Sequence, residues 1–270
     1  MHEYDQEAAE AITDQVNNHE HEPETVAKGK ISVLPSLLTT ASLFSGFYAI
    51  VSAINGKYFN AAVAIIVSAV LDGLDGRVAR LTGTSSRFGM EYDSLCDLVA
   101  FGVAPALLAY QWVLKPFGRY GWLAAFLYVA TTALRLARFN IQDSRLAKKV
   151  FTGLPCPAAG CMVATSFMFC DFFDLGGTAI DVTTLLLVYG LSYLMVSSFT
   201  YLSFKQPETA KAKAFQMIVA MVLVIMVLAT EPKVTLFILI MVYVLSAPVS
   251  AVFGLLRREK KSIKEQVHLI

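Results

Sequence analysis

The chain has 270 residues, 56% of them hydrophobic and only 16% charged, with a formal net charge of +1. An ordinary soluble domain is about 45–50% apolar and about 25% charged, so both departures point to a chain that crosses a membrane several times. The net charge says nothing about nucleic acid; no nucleic-acid partner is expected. The four histidines, His2, His19, His21 and His268, all lie in the terminal tails. That excludes a Ser-His-Asp triad or a histidine metal site in the membrane body, and acid–base or metal chemistry falls to carboxylates.

Residues 1–30 open the chain as an acidic tail, with eight Asp and Glu before the first basic residue, Lys28. A disordered tail is expected, or a short interfacial helix on the spacing of Tyr4, Ala8, Ile12 and Val16. It has neither the basic start nor the apolar core of a signal peptide. Eight apolar runs follow, at 33–53, 59–80, 89–113, 120–140, 154–174, 183–203, 214–230 and 234–256. Each is long enough to cross about 30 Å of hydrocarbon as a helix, and none alternates as a barrel strand would. The fold expected is all-α, a polytopic helical bundle of about eight transmembrane helices. Residues 257–270 close the chain as a basic tail. Cys96, Cys156, Cys161 and Cys170 fall in or beside apolar runs and read as small buried hydrophobes.

The basic residues orient this arrangement. Eighteen of the 22 Lys and Arg residues fall in the loops and tails of one side, and only Lys57, Lys115, Arg119 and Lys233 on the other. The excess places both termini at the cytoplasmic face of a cell membrane, together with the loop between the second and third runs. The loop holding Asp171, Asp174 and Asp181 faces out.

That cytoplasmic connection carries the densest chemistry: Asp72 to Asp97, DGLDGRVARLTGTSSRFGMEYDSLCD. Carboxylates so close to hydrocarbon are costly and mark a site by default. Asp72, Asp75 and Ala79 are spaced i, i+3 and i+7; Gly89, Asp93 and Asp97 are spaced i, i+4 and i+8. Each set lies along one helix face, and the polar TGTSSR stretch lets the two faces meet as a hairpin. Four carboxylates converge only with positive charge between them. Oxygen-only donors suit Mg²⁺ or Mn²⁺, and would also hold Ca²⁺; a pair of divalent ions clamping a diphosphate fits the set. Gly76, Ala79 and Gly89 leave room for a ligand between the helices, or serve close packing.

The pattern Asp72-x2-Asp75-Gly76-x2-Ala79-Arg80-x8-Gly89-x3-Asp93-x3-Asp97 resembles the signature of the CDP-alcohol phosphotransferase family at all eight positions. The resemblance implies integral membrane enzymes with a six-helix core, here residues 31–205, so that residues 206–256 add two further transmembrane helices. It implies that an acceptor hydroxyl displaces CMP from a CDP-linked lipid. Asp72, Asp75, Asp93 and Asp97 would hold two divalent ions, Asp97 doubling as general base. Gly76, Ala79, Arg80 and Gly89 would seat the CDP moiety, and the enzyme would be a homodimer.

Four further stretches are LPSLLTTASLFSGF (Leu34–Phe47), LRLARFN (Leu134–Asn140), FTGLPCPAAG (Phe151–Gly160) and LMVSSFTYLSFK (Leu194–Lys205). Together they resemble the serine-accepting branch of the family, which implies CDP-diacylglycerol as donor, L-serine as acceptor and a membrane lipid as product. Arg135, Arg138 and Lys205 are candidates for gripping the acceptor's carboxylate or the lipid's phosphate, or snorkel at the interface. Ser197, Ser198 and Tyr201 are candidates for the acceptor site, or bond to their own helix. Other acceptors (glycerol phosphate, inositol phosphate) and an archaeal lipid donor use the same motif. A cation transporter would use the aspartates as an ion path, and would place them nearer the midplane.

Overall fold

The computed structural model describes residues 33–82, 87–141, 153–197 and 230–267. The tails at 1–30 and 268–270, the loop at 83–86, the run at 214–230, Ser198, Tyr201 and Lys205 lie outside the described residues. So do the side chains of Ala79, Arg80 and residues 251–267. Every described element is helical. We number the helices α1 (Val33–Ile54), α2 (Tyr58–Thr82), α3 (residues 87–117), α4 (Arg119–Ile141), α5 (Cys156–Phe172), α6 (Thr178–Val196) and α7 (Pro232–Val267).

The chain is a helical membrane protein. Among the described residues, four stretches are long and apolar enough to cross a bilayer: Ser36–Ile54, Phe88–Phe117, Thr178–Val196 and Pro232–Ser250. The α2 helix carries its aspartates and Arg77 within its last turns, and α5, at 17 residues, stands at the short limit for a span. Seven of the eight expected runs coincide with described helices. The α6 helix finishes at the aspartate end of the bundle and α7 starts at the other, where Lys233 pairs with Asp171.

Three boundaries differ from the hydropathy reading. The sixth helix starts at Thr178 rather than 183, with Asp181 in its first turn, where a carboxylate complements the positive end of the helix. Ser197 turns extended (ψ 157°) and ends it. The last helix runs on through the basic segment to Val267, because Lys, Arg and Glu are good helix formers even where hydropathy stops.

The α3 helix is the hub. It touches α1, α2, α4, α5 and α6, and 56% of its apolar window is buried, against 33%, 28% and 11% for the other three. Its neighbours reach it by shedding side chains. A Cβ on Gly46 of α1 would stand 2.7 Å from the Ala100 Cα, so the two backbones cross in direct contact. The helix is not uniform. Regular α-helix over Arg87–Asp97 widens to π-helix over Leu98–Val103, tightens again over Ala104–Ala109, widens over Tyr110–Leu114 and closes as 3₁₀ over Lys115–Phe117. Pro105 lies just past the first wide segment, and its missing N–H and ring are accommodated by the altered pitch.

Beside this hub, α1 and α2 pack along their length through Ala49, Ala53, Ala61, Ala62 and Ala64. Ser42 and Ser68 join oxygen to oxygen at 2.7 Å in the same seam. The α5 helix enters through Gly153, whose φ of +85° suits glycine, and whose added Cβ would meet the Met195 carbonyl oxygen at 2.5 Å.

Candidate functional site

The last turns of α2 and the first turns of α3 bring three of the four aspartates together. One carboxylate oxygen from each of Asp72, Asp75 and Asp93 lies within 4.8 Å of the others. Asp97, one turn further along α3, has its carboxyl within hydrogen-bonding reach of that of Asp72. It is also the last residue before the π-helical segment, so the face that presents Asp93 and Asp97 is regular α-helix down to the point where the helix changes pitch.

Among the described residues, no ion pair neutralises this cluster. Asp75 is only 3% exposed and accepts a 2.8 Å hydrogen bond from Thr39 Oγ1 of α1. The one ion pair among the described residues lies elsewhere, between Lys233 and Asp171. Two like charges at about 5 Å repel by about 3–4 kcal/mol at an effective dielectric near 20. A hydroxyl donor to a charged group returns about 1.5–3 kcal/mol. One threonine therefore cannot balance three carboxylates, and the cluster needs positive charge between them. A compact all-oxygen donor set fits a hard divalent cation, so these residues fit Mg²⁺ or Mn²⁺.

A polar frame locks the two helices' approach. Thr40 and Tyr92 meet oxygen to oxygen at 2.9 Å, tying α1 to α3. Asn140 Nδ2 donates to Glu91 at 2.9 Å, and Ser94 Oγ lies 3.1 Å from both Asn140 Oδ1 and the Met90 carbonyl, tying the end of α4 to the start of α3. Phe88 stacks on Tyr92 at 6.0 Å. Sequence reasoning on the aspartates misses Thr39, Tyr92 and Asn140. A signal for two of them is present, because Thr39 sits in LPSLLTTASLFSGF and Asn140 ends LRLARFN.

The remaining candidates separate. A Cβ on Gly76 would meet nothing within 4 Å, so among the described residues its smallness serves open space beside the aspartates, not helix contact. Gly89 is half-buried near the start of α3, in line with Asp93. Ala79 and Arg80 lie on the last turn of α2. Arg138 is exposed near the end of α4. Arg135, one turn earlier, is half-buried and donates from Nη1 to the Cys156 sulfur at 3.3 Å, so Cys156 is more than the apolar filler its sequence setting suggests. Ser197 Oγ bonds the Leu194 carbonyl of its own helix at 2.8 Å, the local role rather than a site role.

A family model described as CDP-alcohol phosphatidyltransferase matches residues 32–194. The chain is 41% identical over 174 residues to a CDP-diacylglycerol–serine O-phosphatidyltransferase of Helicobacter pylori, covering 64% of this chain and 73% of that protein. It is 37% identical over 177 residues to the enzyme of the same name from Bacillus subtilis, covering 65% and 93%. It is 35% identical over 170 residues to an archaetidylserine synthase of Methanothermobacter thermautotrophicus, covering 62% and 69%.

Proposed function

The chain belongs to the CDP-alcohol phosphatidyltransferase family, and from that premise we propose that it transfers the phosphatidyl group of CDP-diacylglycerol to the hydroxyl of L-serine. The products are phosphatidylserine, which stays in the membrane, and CMP. The observation that carries this reading is the convergence of Asp72, Asp75 and Asp93 within 4.8 Å, beside open space at Gly76. The choice of acceptor is supported by the names of the Helicobacter and Bacillus relatives.

The chain's own residues divide the work. Asp72, Asp75, Asp93 and Asp97 would hold two divalent ions, Mg²⁺ or Mn²⁺, whose chemistry when bound is to neutralise a diphosphate and the charge of the leaving CMP. Gly76, Ala79, Arg80 and Gly89 line the slot for the CDP moiety, where backbone can approach the nucleotide closely. Arg135, Arg138 and Lys205 supply cationic groups for the acceptor or the lipid phosphate. Asp97 takes the proton of the seryl hydroxyl as its oxygen attacks the lipid-linked phosphorus. The new P–O bond forms as the anhydride P–O bond to CMP breaks, with no covalent enzyme intermediate. The positive-inside charge distribution puts this site at the cytoplasmic face of the cell membrane, and a homodimer is part of the same reading.

The test is CMP release by purified protein from CDP-diacylglycerol with Mg²⁺ or Mn²⁺, with and without L-serine and with competing labelled alcohols. Release that depends on serine supports the reading; its absence under both metals overturns it. The Methanothermobacter relative favours one second reading, an archaeal-type lipid donor. Faster turnover of a CDP-linked isoprenoid ether than of CDP-diacylglycerol would favour that donor.

A further inference from the structure

Arg135 is under-satisfied. A guanidinium carries five N–H donors and no acceptor, and near hydrocarbon each unpaired one is costly. Among the described residues Arg135 has one hydrogen bond, from Nη1 to the Cys156 sulfur at 3.3 Å, and a thiol is a weak acceptor. Its Nε is buried and has no partner there.

The position of this cation is equally specific. Leu136, its chain neighbour, packs in one cluster with Ala100, Phe101 and Cys156, against which Leu98 and Ala69 also lie. Leu98 follows Asp97 directly, and Ala69 lies one turn before Asp72. Arg135 therefore lies at the α4–α5 seam, beside the apolar cluster that adjoins Asp97 and Asp72 along their helices. Cys156 beside it is fully buried, so this seam has no room for an acyl chain. Arg138, exposed one turn on, has the setting of a residue that meets lipid headgroups.

We propose that Arg135 is the specificity-determining residue that receives the carboxylate of the amino-acid acceptor, with the Cys156 thiol filling the place of that carboxylate when the acceptor is absent. The guanidinium fork matches a carboxylate bidentately, and anchoring the carboxylate there leaves the hydroxyl of the same small molecule directed towards Asp97. The inference rests on the serine-transfer reading and adds which residue distinguishes an amino acid from a plain alcohol.

The experiment compares full-length wild type, Arg135→Gln and Arg135→Lys in detergent with Mn²⁺, measuring KM for L-serine and for CDP-diacylglycerol separately, and turnover of serinol, which lacks the carboxylate. Arg135→Gln is expected to raise the serine KM about 10- to 100-fold, with CDP-diacylglycerol KM within about threefold, and to erase most of the preference for serine over serinol. Arg135→Lys keeps the charge without the fork, and is expected to fall between; it carries the test if the Gln variant does not fold. A rise confined to the CDP-diacylglycerol KM would overturn the proposal by assigning Arg135 to the lipid phosphate. An unshifted serine KM in a variant that still turns over would overturn it as well. So would Cys156→Ala matching Arg135→Gln in kinetics and Tm, because the pair would then be structural. Lack of serine-dependent CMP release in the wild type overturns the acceptor assignment, and this inference with it.

Discussion

Two groups of aspartates sit at opposite ends of this bundle, and they are handled in opposite ways. At one end, Asp171 pairs with Lys233 at 3.3 Å, whose amine also lies 4.7 Å over the Phe59 ring, while Asp181 sits in the first turn of α6. Those carboxylates are exposed or half-exposed and have the protein's own charges and dipoles for company. At the other end, Asp72, Asp75 and Asp93 converge within 4.8 Å, with a threonine hydroxyl donating to one of them. Among the described residues, the carboxylates at one end have an ion-pair partner and those at the other have none. A count of aspartates does not tell the two ends apart; the supply of counter-charge does.

The sharpest break of this comparison is Asp97→Asn, which is expected to lower kcat for CMP release by about 10²–10⁴-fold, the usual worth of a general base, while Mn²⁺ binding, read by calorimetry, persists. Near-wild-type turnover would remove Asp97 from that role. Next is Thr39→Val, which takes away the hydroxyl on Asp75 and is expected to weaken metal affinity by about 10- to 100-fold, as for other supports of ligating groups; metal titration of activity reads this directly. Gly46→Val probes the frame rather than the chemistry. Its side chain would enter the α1–α3 crossing, and a cost of about 1–3 kcal/mol is expected in thermal unfolding. At the Lys233 end, Asp171→Ala is expected to cost under about 1 kcal/mol and to leave the metal dependence of CMP release as in the wild type. If Asp171→Ala altered metal dependence as strongly as Thr39→Val, the division between the two ends would fail.

Much of the site is legible in the amino-acid sequence. Helical spacing alone pairs Asp72 with Asp75 and Asp93 with Asp97, and the two stripes do meet. What spacing cannot see is contact from afar. Thr39 lies 36 residues before its partner Asp75, and only its place in the LPSLLTTASLFSGF stretch marks it. Arg135 and Cys156 read separately as a snorkelling cation and an apolar filler, and their pairing exists only once α4 and α5 are packed. Hydropathy locates most helices but errs where charge belongs to a helix. Asp181 reads as loop yet sits where a helix start favours it, and the basic end of α7 reads as tail yet is made of good helix formers. The changes of pitch in α3 leave no trace in the sequence beyond Pro105, because π-helix depends on packing around the helix as much as on its residues.

Those changes of pitch give α3 two independent azimuths. In an ideal α-helix each residue advances the face by about 100°, so a wide turn that takes up one extra residue rotates everything before it by about that angle relative to everything after. The wide segment Leu98–Val103 lies between the aspartate face and the Ala104–Ala109 stretch buried in the bundle. It acts as a phase shifter. Asp93 can face Asp72 and Asp75 while the buried half keeps the orientation that packing demands. Deleting a single residue there would leave the helix content almost untouched and swing Asp93 and Asp97 away from Asp72 and Asp75.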